Sequence, residues 1–233
     1  MAVEACLNGG RTREEHAAVP QSPTELAADA VAARRAGASA VHIHPRDANG
    51  LQTLGPTECD AAVAAIRAAA PNLPVGLSTA EAIDPDPFGR AAAISRWRTP
   101  PDFVSVNLGE AGWPGLIRAA LHAGIGVEAG LATPEDAGEF AASPFVHRVI
   151  RALVEVDGGA EDALEIGRLV PDGLAQLWHG YDRLAWEVLR AGVAQGHDVR
   201  VGLEDVLELP DGLTAPGNAE LVGLASRLAD TES

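Results

Sequence analysis

Short runs rich in β-branched and apolar residues alternate with longer alanine-rich stretches whose apolar positions recur every three or four residues, along the whole chain. The first kind predicts strands at residues 3–8, 40–44, 74–79, 103–108, 126–131, 149–156, 175–180 and 199–204. Between and after them, helices are predicted at residues 23–36, 56–70, 86–97, 114–123, 134–142, 160–169, 183–194 and 217–229.

The punctuation supports this reading. Ser22-Pro23-Thr24-Glu25 reads as a capping box with proline at the first helical position, and Gly37 is a natural helix stop. Each β-α unit is about 20 to 40 residues long, enough for one strand and one crossover helix. No Pro/Ser-rich linker, charge block or low-complexity tract interrupts the series. Eight such units predict an α/β protein, a (β/α)8 TIM barrel forming a single domain over residues 1–233. A doubly wound open sheet is the alternative, but the segment after the first strand, Asn8-Gly9-Gly10-Arg11-Thr12, lacks the G-x-G-x-x-G turn of a dinucleotide site.

At 233 residues and 47% hydrophobic composition, the chain can bury a substantial core. A formal charge of −16 repels phosphate backbones and anionic lipid, so neither nucleic acid nor a membrane is expected as a partner. All 17 basic residues are arginine. Without lysine there can be no Schiff-base aldolase, pyridoxal-phosphate lysine or phosphate-loop lysine. Cys6 and Cys59 have no metal-type spacing, and the first residues lack a basic, then apolar, leader pattern. A cytoplasmic protein is therefore expected.

Chemistry enters with Ala40-Val41-His42-Ile43-His44. In a strand His42 and His44 share one face and Val41 and Ile43 the other, so a barrel would point both imidazoles inward near the strand's C-terminal end. Two same-face imidazoles suit a metal ion; two hydrogen-bonded core histidines are the bland alternative. Arg200-Val201-Gly202-Leu203-Glu204-Asp205 offers a third ligand. By the same parity Glu204 faces inward, and barrel closure brings strand 8 within two strands of the histidines. His42, His44 and Glu204 would make a set typical of catalytic zinc, although other divalent metals accept the same donors. A buried pair of Glu204 with Arg200 is the alternative. Further polar residues fall at or near strand ends: Asn8, Arg11, Ser78, Thr79, Asn107, Glu128 and His179. Glu128, between Gly126 and Gly130, needs a partner or a ligand if it faces the core.

Several segments together resemble the β-keto acid cleavage enzyme family: "NGGRT", "VPQSPTELAADAVAARRAGASAVHIHPRDANG", "GLST", "VNLGE", "LWHGY", "VRVGLED" and "NAELV". The resemblance implies a zinc-dependent barrel, a homo-oligomer and commonly a tetramer, that reacts a small-molecule β-keto acid with acetyl-CoA as co-substrate to give acetoacetate and a new CoA thioester. It implies zinc on His42, His44 and Glu204, keto-acid binding by Arg200, proton transfer by Asp205 and a substrate contact by Ser78. Asn8, Arg11, Thr79, Asn107 and Glu128 are expected around the substrate. Arg11 stands where familiar members carry an acidic residue, which points away from an amino-bearing substrate.

Strand 4 also runs into its helix through Gly109-Glu110-Ala111-Gly112-Trp113, a shorter connection than in familiar members. Arg11, Arg13 and Arg46 are the arginines nearest the rim for CoA phosphates. A metal-dependent hydrolase or class II aldolase working without CoA remains an alternative on the same ligands, and a non-catalytic binding protein is the third reading.

Overall fold

The structure is a computed structural model describing residues 1–231. Its eight strands are β1 (Val3–Cys6), β2 (Ala40–Ile43), β3 (Val75–Ser78), β4 (Phe103–Asn107), β5 (Gly126–Leu131), β6 (Arg151–Val156), β7 (Gln176–Gly180) and β8 (Asp198–Val201). The helices that follow them are α1 (Pro23–Arg35), α2 (Pro56–Ala69), α3 (Pro87–Ile94), α4 (Trp113–His122), α5 (Pro134–Ala141), α6 (Ala160–Leu169), α7 (Ala185–Ala194) and α8 (Asn218–Thr231). All neighbouring strands pair in parallel, and β8 returns to β1, closing the expected (β/α)8 barrel.

Local chemistry explains the element ends. Ser22 accepts from the Glu25 backbone while the Glu25 carboxylate accepts from the Ser22 backbone, the capping box foreseen for α1. Thr133 and Asp136 repeat the device at α5. Five helices begin with proline at the first or second position, where its missing N–H leaves no hydrogen bond unmade.

Side-chain alternation divides the strands into two faces. Val3, Ala5, Val41, Ile43, Val75, Leu77, Val104, Val127, Val154 and Val199 belong to the continuous apolar core between barrel and helices. The opposite face carries Glu4, His42, Ser78, Ser105, Glu128, Glu155, His179 and Arg200, all buried. The inside of this barrel is therefore largely polar, and hydrophobic burial is concentrated in the sheet–helix layer.

Two boundaries differ from the sequence reading in ways that bear on the site. Strand 8 was expected to reach Glu204 but ends at Val201. A Cβ on Gly202 would lie 1.9 Å from the Cys6 carbonyl oxygen, so the two backbones meet there and the chain turns, with Asp205 N donating to Gly202 O at 2.9 Å. Strand 1 likewise stops at Cys6 rather than Asn8, although Leu7 N still donates to His42 O at 3.0 Å. Glu204 and Asn8 thus belong to loops at the C-terminal rim, and strand parity does not place their side chains.

Candidate metal centre at the C-terminal rim

β2 delivers His42 from its third position and His44 just beyond its end. Their Nε2 atoms face each other at 3.3 Å. Glu204 Oε1, from the turn after β8, lies 3.4 Å from His44 Nε2 and 4.0 Å from His42 Nε2. Gly9 permits this approach, because its left-handed backbone lies against Glu204 and a Cβ there would be 2.3 Å from the Glu204 Cγ.

The three donors fit a divalent ion. Donors about 2.0–2.1 Å from a tetrahedral centre stand roughly 3.3 Å apart, a spacing two of the three edges already have. Glu204 Oε2 is also buried without a hydrogen-bond partner. Burial holds His42 well below the usual histidine range, so it is neutral, the form that can donate to a metal. Burial opposes ionisation of Glu204, but the Arg200 guanidinium above all outweighs it and holds the carboxyl far below its ordinary value.

Arg200, from β8, makes the buried pair with Glu204 that stood as the alternative to a ligand role. Its NH2 donates to Glu204 Oε1 at 2.5 Å and to Asp205 Oδ1 at 2.9 Å. The ion pair and the donor cluster coexist, because Glu204 Oε1 faces both arginine and histidines. Asp205 is fully buried, and His179 Nδ1 lies 3.4 Å from the same Oδ1. His179 Nε2 is in turn 3.6 Å from Glu155 Oε2, an atom that accepts from the Tyr181 hydroxyl at 3.4 Å, and neither ring nitrogen of His179 has a hydrogen-bond partner. Burial and Arg200 disfavour charge on His179, but Asp205 and Glu155 overcome them and raise its pKa. His179 was noted only as a polar residue at the end of strand 7, and Glu155 was not among the expected site residues. Glu155 could have been found, since it is an acidic residue with interior parity near the end of strand 6.

The remaining expected residues fall in three places. Asn8 holds the backbone on which His44 sits: its Oδ1 accepts from His44 N at 2.8 Å and its Nδ2 donates to His44 O at 2.8 Å. Glu128 lies deeper, beneath His42. It accepts from Arg151 Nε at 2.7 Å, and Glu4, His42 and Glu128 bring one donor atom each to within 4.8 Å of one another. Burial first and the Glu128 charge second push the Glu4 carboxyl up to about 8.

Ser78, Thr79 and Asn107 lie along the β3–β4 side. The Thr79 hydroxyl donates to Ser105 O at 2.6 Å, and Asn107 Nδ2 donates to Glu110 Oε1 at 3.1 Å. Ser78 is buried and its Oγ accepts from Ala80 N at 3.3 Å.

The three rim arginines are all engaged. Arg11 pairs with Asp182 at 2.5 Å and Glu15 at 3.2 Å, Arg13 with Glu25, and Arg46 with backbone carbonyls.

A closed parallel barrel whose polar groups converge where strands pass into loops is the architecture of a barrel enzyme. The chain matches the beta-keto acid cleavage enzyme family over residues 1–142 and 135–232, and it belongs to that family. It is 24% identical over 250 residues to the 3-keto-5-aminohexanoate cleavage enzyme of Fusobacterium nucleatum subsp. nucleatum, covering 97% of this chain and 90% of that protein.

Among solved structures, apo ObcA superposes with a TM-score of 0.69 at 17% identity over 90% of this chain. The chain spans 61% of ObcA's length. The 3-hexulose-6-phosphate synthase of Salmonella typhimurium, with a TM-score of 0.62 at 13% identity, is covered completely, as is this chain. These distant structures share the fold. Among the described residues, no helix is long and apolar enough to cross a membrane.

Proposed function

We propose that this protein cleaves a β-keto acid at a divalent metal, zinc by its donor set, with acetyl-CoA as co-substrate and acetoacetate and a CoA thioester as products. The observation that carries the reading is the convergence of His42, His44 and Glu204 beside the Arg200–Asp205 pair, in a chain of this family.

A metal on those donors supplies Lewis acidity toward the keto oxygen. Arg200 uses Nε and one terminal nitrogen to hold Asp205 and Glu204, which leaves the other terminal nitrogen for the substrate carboxylate. Asp205 is the base for the proton on the carbon between ketone and carboxylate; Arg200 donates to its Oδ1, and His179 Nδ1 lies 3.4 Å from the same atom. The buried rim limits water near the reacting carbon.

The net reaction balances: the acetyl group leaves the thiol of acetyl-CoA for the carboxymethyl fragment of the keto acid, and the thiol takes the remaining acyl group. Turnover of a keto-acid panel with and without acetyl-CoA, alongside metal analysis, tests the proposal. One metal per chain and CoA-dependent acetoacetate are expected, both lost in His42→Ala. Turnover that ignores acetyl-CoA would instead establish the aldolase or hydrolase reading, which the short 108–112 connection after β4 favours.

A further inference from the structure

Each ligand histidine has a second ring nitrogen, and the two are treated differently. His42 Nδ1 is buried with no hydrogen-bond partner. His44 Nδ1 forms a hydrogen bond with the side-chain oxygen of Gln52. Gln52 is not one of the residues singled out by the sequence pattern, and nothing in the ligand triad requires it.

Its position is nonetheless well built. Residues 45–53 double back after β2: Asp47 N donates to Leu51 O at 2.8 Å, Thr53 N donates to Pro45 O at 3.0 Å, and Arg46 pairs antiparallel with Gln52. Arg46 then ties this hairpin to the loop after β1, donating to Gly9 O at 2.8 Å and Arg11 O at 2.7 Å. Asn8, from the same loop, clamps both backbone groups of His44. The ring of His44 is thus fixed at its backbone by Asn8 and at Nδ1 by a residue on a braced hairpin.

A neutral imidazole carries one proton, and the nitrogen facing His42 and Glu204 is Nε2. An amide oxygen at the other nitrogen stabilises the tautomer with the proton on Nδ1, which leaves the Nε2 lone pair free. We propose that Gln52 is a positioning residue that presets His44 as a metal ligand by accepting its Nδ1 proton. The proposal rests on the metal reading given above. Because Gln52 acts through His44, its effect belongs to metal affinity before it belongs to turnover.

The test uses the full chain stripped of metal, with zinc affinity read by competition against a chromophoric chelator and cobalt binding read by its visible absorption. Gln52→Leu leaves Nδ1–H without an acceptor, and a loss of about 10- to 100-fold in affinity is expected. Gln52→Glu keeps the acceptor and makes the imidazole more basic, so it binds at least as tightly as the parent. Unchanged metal-free melting temperatures in both variants would place the effect at the ligand rather than in the fold.

Gln52→Leu binding within about twofold of the parent, or Gln52→Glu weakened as much as Gln52→Leu, overturns the proposal. A parent protein that fails to compete for zinc at all overturns the metal reading itself, a result distinct from either variant outcome.

Discussion

At the scale of single residues, Asp205 lies between two cationic or proton-bearing neighbours, Arg200 at 2.9 Å and His179 at 3.4 Å. It is held rigidly but is not one of the three donors facing the proposed ion. Asp205→Asn keeps an acceptor for Arg200 and removes the base. A fall in kcat of about 10²- to 10⁴-fold with metal content unchanged is expected from steady-state kinetics and metal analysis. Equal loss of metal and activity would mean that Asp205 supports the ligand cluster instead. The two histidines were legible because strand parity puts them on one face, whereas Glu204 reaches them from the turn after β8, where parity does not apply. Gln52 and the partnership of Glu155 with His179 were not legible, because the first depends on how the hairpin after β2 turns back and the second on the register of β6 against β7, neither of which parity gives.

At the scale of elements, the rim depends on where β8 stops. Gly202 lets the turn carrying Glu204 and Asp205 pass against Cys6, whose carbonyl leaves no room for a side chain. Gly202→Ala must push β8 from β1, with an expected loss of at least about 3 kcal/mol in urea unfolding, the upper part of the range for overpacking. Gly138, inside α5 with nothing near its would-be Cβ, is the control: Gly138→Ala should gain roughly 0.5–1 kcal/mol. The sequence pattern located all eight strands and helices, and two of its predicted spans, 126–131 and 160–169, coincide with β5 and α6. Its largest consequential error was extending strand 8 through Gly202, since a contact with a distant backbone has no local signature.

At the scale of the molecule, Asn218 at the start of α8 joins the first and last β-α units. Its side chain donates to Leu7 O at 2.8 Å and to Asp29 of α1 at 2.6 Å, and accepts from Leu203 N at 2.7 Å. Burial raises the Asp29 pKa from 3.8 to about 6 against the opposing hydrogen bond from Asn218. A carboxyl raised on folding binds its proton more tightly in the native state, so its contribution is complete below about pH 3.8 and is lost as pH rises through about 6. Asp29→Asn should remove that loss. Relative to the parent, its urea stability should improve between about pH 4 and pH 6, by on the order of 1–2 kcal/mol, and stay level above. A difference independent of pH would show that Asp29 is not the titrating group.

The sequence by itself determined the eight-fold alternation, the exclusion of lysine chemistry and the residues from which a metal site would be drawn, because periodicity, composition and residue type are local properties. Only the tertiary structure decided how those residues are used. Closure of β8 onto β1 brought Glu204 to the histidines, the turn after β8 folded Glu204 and Asp205 back onto Arg200, and the register of β5 against β6 set Glu128 beside Arg151. The hairpin after β2 set Gln52 against His44, and the pairing of β1 with β2 put Asn8 under its backbone. Such pairings depend on turn geometry, strand register and barrel closure, which are set together when a polar interior must be satisfied without water.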